Sequence, residues 1–196
     1  MKINFGLPVF VSILLAACSP VQTAAPLVTP SPGPTVTEAA VLPTPSSPGD
    51  SIDWEGLQVR MGQVEVTNAY ETDYGSTRFP PAGGKFLWVQ IGLINTARVE
   101  KAVPASEHYS VLYASIEFKP TYGHRQGYKD YTVLPQVIFP DQRLVGWLRF
   151  DIPGTAGLGE LLFVFIPESA QVGASYESPN YPYAADKPTF VWDLEP

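Results

Sequence analysis

The stretch that decides the fold is RLVGWLRFDIP, residues 143–153, because its side chains alternate in character with a period of two. The main apolar residues share one parity: Leu144, Leu148, Phe150 and Ile152. Arg149 and Asp151 share the other parity, and Pro153 with Gly154 ends the pattern. This alternation predicts a β-strand with one face in a core and the other toward solvent.

Two upstream segments extend the same pattern. In KFLWVQIGLIN, residues 85–95, one parity stays apolar to the end through Leu87, Val89, Ile91 and Leu93. This predicts a central strand with that face inward. In LQVRMGQVEV, residues 57–66, the apolar parity changes at Gly62–Gln63, and a one-residue phase change at a glycine indicates a β-bulge.

The remaining strands are shorter or less clear. The segment YSVLYASIEFK, residues 109–119, is predicted as one strand in which Val111 and Tyr113 face outward or meet a covering loop. Its predicted inner face consists of Leu112, Ala114, Ile116 and Phe118. ELLFVFIP and TFVWDLEP predict two further strands, and TVLPQVIF predicts a weaker one that Pro135 splits or confines to an edge. Together these segments predict an all-β, immunoglobulin-like two-sheet antiparallel β-sandwich over residues 51–196.

Two of these segments also carry a family resemblance. The run from Gly84-Lys85-Phe86 to Ile94-Asn95-Thr96, followed by the run Val145–Pro153, resembles the telokin-like immunoglobulin-type sandwich domain of bacterial lipoproteins and secreted proteins. The resemblance covers residues 57–166 and departs from the family pattern at 168–188. It implies a β-sandwich of unknown function and brings no catalytic residues with it.

The N-terminus has the composition of an export signal. Lys2 precedes an apolar stretch, residues 6–15, that is shorter than the about 20 residues needed to span a bilayer. Leu15-Ala16-Ala17-Cys18 then resembles the lipobox of bacterial lipoproteins. In a lipobox the cysteine thiol is diacylated, and cleavage before the cysteine makes that residue the new N-terminus. Cys18 is the single cysteine of the chain. We therefore expect residues 1–17 to be a signal peptide and Cys18 to be a lipid anchor; the alternative is a coincidental free thiol beside an ordinary cleavage site.

Residues 18–50 comprise the cysteine and a segment rich in Pro, Ser and Thr, with Glu38 and Asp50 as its acidic residues. Such a composition predicts an extended, disordered tether that contributes nothing to a core. The tether is either bare or O-glycosylated. The predicted location is the extracytoplasmic face of a membrane, held there by lipidated Cys18.

Charge and titratable residues limit the function classes. The net charge of −7 and the lack of a basic run argue against a nucleic-acid partner. The two histidines, His108 and His124, are interpreted as solvated or locally bonded side chains. In NAYETDYGS, the residues Asn68, Glu71 and Asp73 could offer oxygen ligands to Ca²⁺, but the spacing fits a plain acidic turn better. We expect no metal, no cofactor and no catalytic residue.

Two groups of tyrosines are the candidate binding residues. The first lies in a Gly-containing segment and consists of Tyr122, Tyr128 and Tyr131; the second consists of Tyr176, Tyr181 and Tyr183. If the two segments converge, their rings form a recognition patch for an envelope protein, a small ligand or a glycan, rimmed by Arg125, Lys129, Glu177 and Asp186. The alternative is that the rings seal the ends of the sandwich. The sequence thus predicts a non-enzymatic interaction module, with a hydrolase whose site is assembled from distant residues as the alternative.

Overall fold

The structure is a computed structural model that describes residues 42–168, 170–173 and 187–195. The predictions for the signal peptide, for Cys18 and for Tyr176, Tyr181 and Tyr183 lie outside these residues. Within the described ranges, no helix has the length and apolarity needed to cross a membrane.

Short strands joined by turns form nearly all of the regular structure. In chain order they are β1 (Ser51–Trp54), β2 (Leu57–Thr67), β3 (Tyr70–Glu71), β4 (Thr77–Arg78), β5 (Gly84–Asn95), β6 (Lys101–Ala102), β7 (Tyr109–Tyr113), β8 (Ile116–Phe118), β9 (Val137–Ile138), β10 (Arg143–Pro153), β11 (Leu161–Phe165) and β12 (Phe190–Asp193). Single 3₁₀ turns occur at Ser106–His108, Tyr131–Val133 and Leu158–Glu160.

Two four-stranded antiparallel sheets face each other across one core. The first sheet has the order β1-β2-β5-β10 and the second has the order β12-β11-β7-β8. Rings meet edge to face between the sheets, at Phe150 and Phe163 and at Trp54 and Phe165. The predicted all-β, two-sheet antiparallel sandwich is confirmed.

The inner face of the first sheet matches the period-two pattern. Leu87, Val89, Ile91 and Leu93 on β5 are fully buried, as are their predicted counterparts Leu144, Leu148, Phe150 and Ile152 on β10. The β2–β5 register shifts between Met61 and Val64, which confirms the bulge at Gly62–Gln63. Gly146 lies on the inner parity of β10. A Cβ at this position would stand 2.8 Å from Tyr131 Cα, so only glycine lets the Tyr131–Val133 turn pack against the strand.

The prediction of one strand over residues 109–119 is wrong. The chain reverses at Ala114 and Ser115, both at positive φ (48° and 64°), so β7 and β8 form a hairpin in which Tyr113 pairs with Ile116. Val111 and Tyr109 therefore face the core, whereas Ala114 and Ile116 are exposed. Two-residue hairpin turns with positive φ usually contain Asn-Gly or Asp-Gly, and the Ala-Ser pair here gives no such sequence signal. Leu112 is buried, but in a separate apolar cluster on the outer face of the second sheet.

The segment before β1 also differs from the expectation. Ser46 pairs with Trp192: its amide donates to the Val191 carbonyl (2.8 Å), and its carbonyl accepts from the Asp193 amide (3.0 Å). Leu42 packs against the apolar cluster on the outer face of the second sheet. The expectation that the whole chain before Ser51 is a core-free tether is therefore wrong for residues 42–50, in which Ser46 pairs beside β12 and Leu42 packs on the second sheet.

Candidate functional site

The outer face of the first sheet carries large aromatic side chains. Phe86 and Trp88 project from β5 and Trp147 projects from β10. Two residues outside these strands, Tyr70 and Tyr128, pack against them. We call these five residues the outer-face cluster. Two other chain segments cover these rings and remove them from water.

The first covering segment is the β3–β4 hairpin, residues 70–78. The Tyr70 ring contacts the Phe86 and Trp88 rings edge to face, with 5.0 Å between centroids in each pair. The turn closes through the Thr72 amide, which donates to the Ser76 carbonyl (2.9 Å), and Gly75 supplies the positive φ of 73°. Tyr74 thus sits at the tip of a short, anchored hairpin.

The second covering segment, residues 121–130, runs along the free edge of β10. The Thr121 amide donates to the Arg149 carbonyl (2.7 Å), and the Trp147 amide donates to the Lys129 carbonyl (2.8 Å). The Gln126 amide donates to the Glu71 carbonyl (2.9 Å), which joins this segment to the hairpin. The two covering segments therefore form one connected surface layer.

Arg149 links that layer to the sheet. Its parity is outward, as predicted, but only 13% of its side chain is exposed. Its NH1 group donates to the Tyr70 hydroxyl (2.6 Å) and its Nε donates to Thr121 Oγ1 (3.0 Å), and its guanidinium lies 5.0 Å from the Phe86 ring centroid. Gly123 lies beside it, and a Cβ there would stand 2.7 Å from Arg149 NH1, so a larger residue would displace the guanidinium.

A second cation lies over the other half of the cluster. The Arg125 guanidinium is 4.1 Å from the Tyr128 ring centroid, and its NH2 donates to Glu65 Oε1 (2.7 Å). The Tyr128 hydroxyl donates to the second oxygen of the same carboxylate. The bond from Arg125, aided by that from Tyr128, lowers the pKa of Glu65, while burial and the Glu65 bond raise the pKa of Tyr128. These contacts fix the second segment over Trp88 and Trp147.

Beside Arg149, the covering segments leave an open groove of about 400 Å³. Three strongly exposed rings border it: Tyr74 (84% exposed), Phe79 (74%) and Tyr122 (64%). We call it the ring groove. His124 contacts two of these rings edge to face, with 4.7 Å between centroids to Tyr122 and 6.5 Å to Tyr74, and it shares a hydrogen bond with the Tyr122 hydroxyl. A cluster of exposed rings around a groove is a candidate recognition surface.

Charged side chains complete the groove. Arg78, which is exposed, and Asp151 both line it. Asp151 Oδ1 lies 3.4 Å from Arg149 Nε and is buried, with no hydrogen-bond donor to it among the described residues. The Asp151 side chain as a whole remains 28% exposed, so a carboxylate fixed by Arg149 faces the groove.

The sequence-predicted tyrosines separate into three environments. Tyr122 is exposed and borders the ring groove. Tyr128 is half buried and stacks on Trp147 at a centroid distance of 4.1 Å. Tyr131 is only 3% exposed, and its hydroxyl donates to the Pro104 carbonyl, so the expectation that it belongs to an exposed patch is wrong. Tyr131 starts a 3₁₀ turn, and its ring packs into the core against the ring of Tyr109.

Sequence reasoning missed Tyr74, Phe79 and Arg78. All three lie in residues 68–81, NAYETDYGSTRFPP, where the sequence prediction rests on the oxygen ligands Asn68, Glu71 and Asp73. The usable signal was the same one that selected Tyr122, namely aromatic residues in a polar segment bounded by Gly and Pro. Among the described residues, no group of three or more His, Cys, Asp or Glu side chains could hold a metal ion.

The predicted interpretations of the histidines differ in outcome. His124 lies in the groove wall, partly exposed. His108 is not solvated: its ring is buried, and Nδ1 is 2.9 Å from the Ile166 carbonyl oxygen. Burial lowers the pKa of His108, although this hydrogen bond and the nearby Glu168 and Glu107 carboxylates oppose the change. His108 is thus a core residue at the start of β7 and lies outside the ring groove.

A second cavity, of about 600 Å³, lies at the Tyr131–Val133 turn. Its lining is mainly aliphatic residues and proline, and Val172 and Gly173 form part of its wall. Its polar side chains include Ser106, Glu107, Thr132 and Gln136. No strongly exposed aromatic ring of the described residues lines it. The ring groove is therefore the better candidate for recognition.

Comparison with solved structures supports the fold. The yjhA protein from Bacillus subtilis is similar to this chain with a TM-score of 0.52 at 12% identity, covering 75% of this chain and 97% of the other. A candidate lipoprotein, ycdA of Bacillus subtilis, gives a TM-score of 0.48 at 16% identity, covering 74% of this chain and 39% of the other. The secreted protein MPT63 from Mycobacterium tuberculosis gives 0.47 at 12% identity, covering 76% and 98%.

No protein-family model and no curated protein matches the sequence. At these identities, the likeness to yjhA establishes the fold alone, a β-sandwich. Function has to be argued from the residues of the ring groove.

Proposed function

We propose that this protein is a lipid-anchored, extracytoplasmic module that binds a ligand in the ring groove without catalysing a reaction. The observation that carries the proposal is the exposure of Tyr74, Phe79 and Tyr122 around one groove. Exposing three rings to water costs free energy that folding alone does not require, and a ligand that covers them recovers it.

The anchor part of the proposal rests on the sequence. Leu15-Ala16-Ala17-Cys18 follows an apolar stretch of signal-peptide length, and the chain has no second cysteine with which Cys18 could pair. The resemblance of residues 57–166 to the telokin-like domains of bacterial lipoproteins agrees with this placement. Each buried methylene of an acyl chain contributes about 0.8 kcal/mol to membrane binding. Because one chain gives only reversible binding, stable anchoring requires two or more chains on Cys18.

The binding part rests on how the polar groups of the groove are engaged. His124 is hydrogen-bonded to Tyr122, and Arg149 is bonded to Tyr70 and Thr121. These contacts hold the aromatic walls in place, which is a positioning role. A preformed wall reduces the ordering cost that a ligand has to overcome.

The anchor is tested by fractionation and mass spectrometry of the full chain. The expected result is a diacylglyceryl thioether on Cys18 and release of the Cys18→Ser variant from the membrane pellet. An unmodified Cys18 in the mature wild-type protein would contradict the anchor.

The groove is tested by binding of the full chain to a delipidated envelope preparation from the source organism. The Tyr74→Ala/Phe79→Ala/Tyr122→Ala variant should lose retention, whereas Phe139→Ala, which removes an exposed ring outside the groove, should not. Equal retention of all three proteins, or no retention of the wild type, would refute the binding role.

A further inference from the structure

We infer that the ligand of the ring groove is an uncharged saccharide segment. The inference rests on the proposed function, because it names the chemistry of the molecule that the groove binds. It follows from the combination of exposed rings, a fixed carboxylate and an open shape, and from the way in which the structure disfavours two other ligand classes.

The rings favour a flat ligand with apolar faces. A pyranose with equatorial hydroxyls presents its axial C–H groups on its faces and its hydroxyls around its rim, which suits stacking against an aromatic ring. Tyr122 and Tyr74 are both held by edge contacts with His124, so their positions are set before binding. Phe79 adds a third exposed ring with no polar atom of its own.

The polar groups favour hydroxyls. A sugar hydroxyl both donates and accepts a hydrogen bond, so its site needs groups of both kinds. Asp151 supplies a carboxylate acceptor that is ion-paired with Arg149, and Arg78 supplies an exposed cationic donor. The groove volume of about 400 Å³ falls toward the small end of the about 300–1,000 Å³ usual for small-ligand sites, which suits a short part of a glycan.

An anionic ligand is disfavoured. Of the two arginines that line the groove, Arg149 already donates to Tyr70 and Thr121 and faces the Asp151 carboxylate, which leaves the positive charge of Arg78 opposite the negative charge of Asp151. The chain also carries a net charge of −7, which repels polyanions over the whole surface.

An extended peptide is disfavoured as well. Peptides that add to a sheet need a free strand edge, and the β10 edge beside the groove is already bonded to Thr121 and Lys129. The groove instead opens on the face of the sheet, where side chains and not backbone groups are available to a ligand.

The experiment uses the full chain and two competitors prepared from the same delipidated envelope. One competitor is the glycan fraction that remains after exhaustive proteolysis, and the other is the extracted protein fraction. The glycan fraction should compete for retention of the wild-type chain, with saturation-transfer NMR signals on sugar C–H protons. The ring triple variant should lose affinity for that fraction about tenfold or more, whereas Phe139→Ala should not.

The outcomes separate the two proposals. Competition by the protein fraction and none by the glycan fraction, with retention still dependent on the three rings, would overturn the saccharide and leave the binding groove intact. If the ring triple variant binds the glycan fraction as strongly as the wild-type chain does, the sugar binds elsewhere and this inference is overturned. A wild-type chain that the envelope does not retain at all would refute the proposed binding function itself.

Discussion

The two faces of the β1-β2-β5-β10 sheet are both apolar, but they are built differently. The inner face is mainly aliphatic and packs against the second sheet, with Phe150 as its largest side chain on β10. The outer face is aromatic. Two chain segments cover it, and the guanidinium groups of Arg125 and Arg149 lie against its rings. The inner face therefore serves the core, whereas the outer face holds a surface layer in which the ring groove lies.

The difference teaches that parity alone does not separate core from surface. Arg149 and Phe150 are neighbours on β10 and point to opposite faces, yet both side chains are largely removed from water. A strand residue on the outward parity is solvent-exposed only where no other segment crosses it. Each prediction below tests one part of this contrast, beginning with the largest expected effect.

The inner face should be the most sensitive to truncation. Phe150→Ala leaves a cavity next to Phe163 in a fully buried site and should lower the free energy of unfolding by about 3–5 kcal/mol. Urea denaturation measures it. A loss below about 1 kcal/mol would mean that the two sheets are not packed as described.

The outer face should be sensitive too, but less so. Arg149→Ala removes two hydrogen bonds from a charged donor and leaves the Tyr70 hydroxyl and Asp151 without their partner, so we expect a loss of about 1.5–3 kcal/mol. A double-mutant cycle with Tyr70→Phe should show positive coupling. An effect within about 0.5 kcal/mol, as at an ordinary surface site, would refute the cover over the outer face.

The segment before β1 should contribute to stability through the second sheet. Replacing residues 42–50 in the full chain by a Gly/Ser segment of equal length removes the packing of Leu42, and the flexible replacement weakens the backbone pairing made at Ser46. We expect a loss of about 1–2 kcal/mol in thermal or urea unfolding. The same replacement at residues 31–39, within the predicted tether, is the matched control. It should leave the free energy of unfolding unchanged.

Stability should fall in mild acid because of His108. Its folded-state pKa lies below the unfolded value of about 6.5, so the unfolded chain binds the proton more readily. The contribution is complete above pH 6.5 and is lost as the pH falls from there toward the folded-state pKa. Urea denaturation from pH 8 to pH 5 should show this loss in the wild type and a shallower one in His108→Gln; parallel curves would exclude the histidine.

The groove rings should affect stability least. Tyr122→Ala, Phe79→Ala and Tyr74→Ala should each change the free energy of unfolding by no more than about 0.5 kcal/mol, because these rings are exposed. A larger loss for any of them, measured in the same urea experiment, would make that ring part of the cover and not of the binding surface.

The sequence was sufficient for the architecture and for one face of the first sheet. Alternation in 143–153 and 85–95 predicted the inner residues, and Gly62 marked the bulge, because each depends on local pattern. The Ala114–Ser115 turn escaped because those residue types do not announce a positive φ. The burial of Tyr131 escaped as well, since it depends on the space that Gly146 leaves on β10, which is a property of the packing between the turn and the strand.

The candidate site was predicted only in part for a related reason. Tyr122 was identified from its composition, but its neighbours Tyr74 and Phe79 come from a segment more than forty residues earlier, joined to it through bonds such as Gln126 to Glu71. The sequence pattern gave no sign that these segments meet over Phe86 and Trp88. Convergence of distant loops is a tertiary property that period-two patterns do not encode.

The most direct test of the binding groove is hydrogen exchange of the full chain with and without the envelope glycan fraction. If the ring groove is the binding site, the added glycan should slow exchange in peptides that cover residues 70–81 and 121–124 and leave 102–107 and 131–137 unchanged. Protection confined to 102–107 and 131–137, which line the second cavity, would contradict the account and move the site to the other end of the described domain.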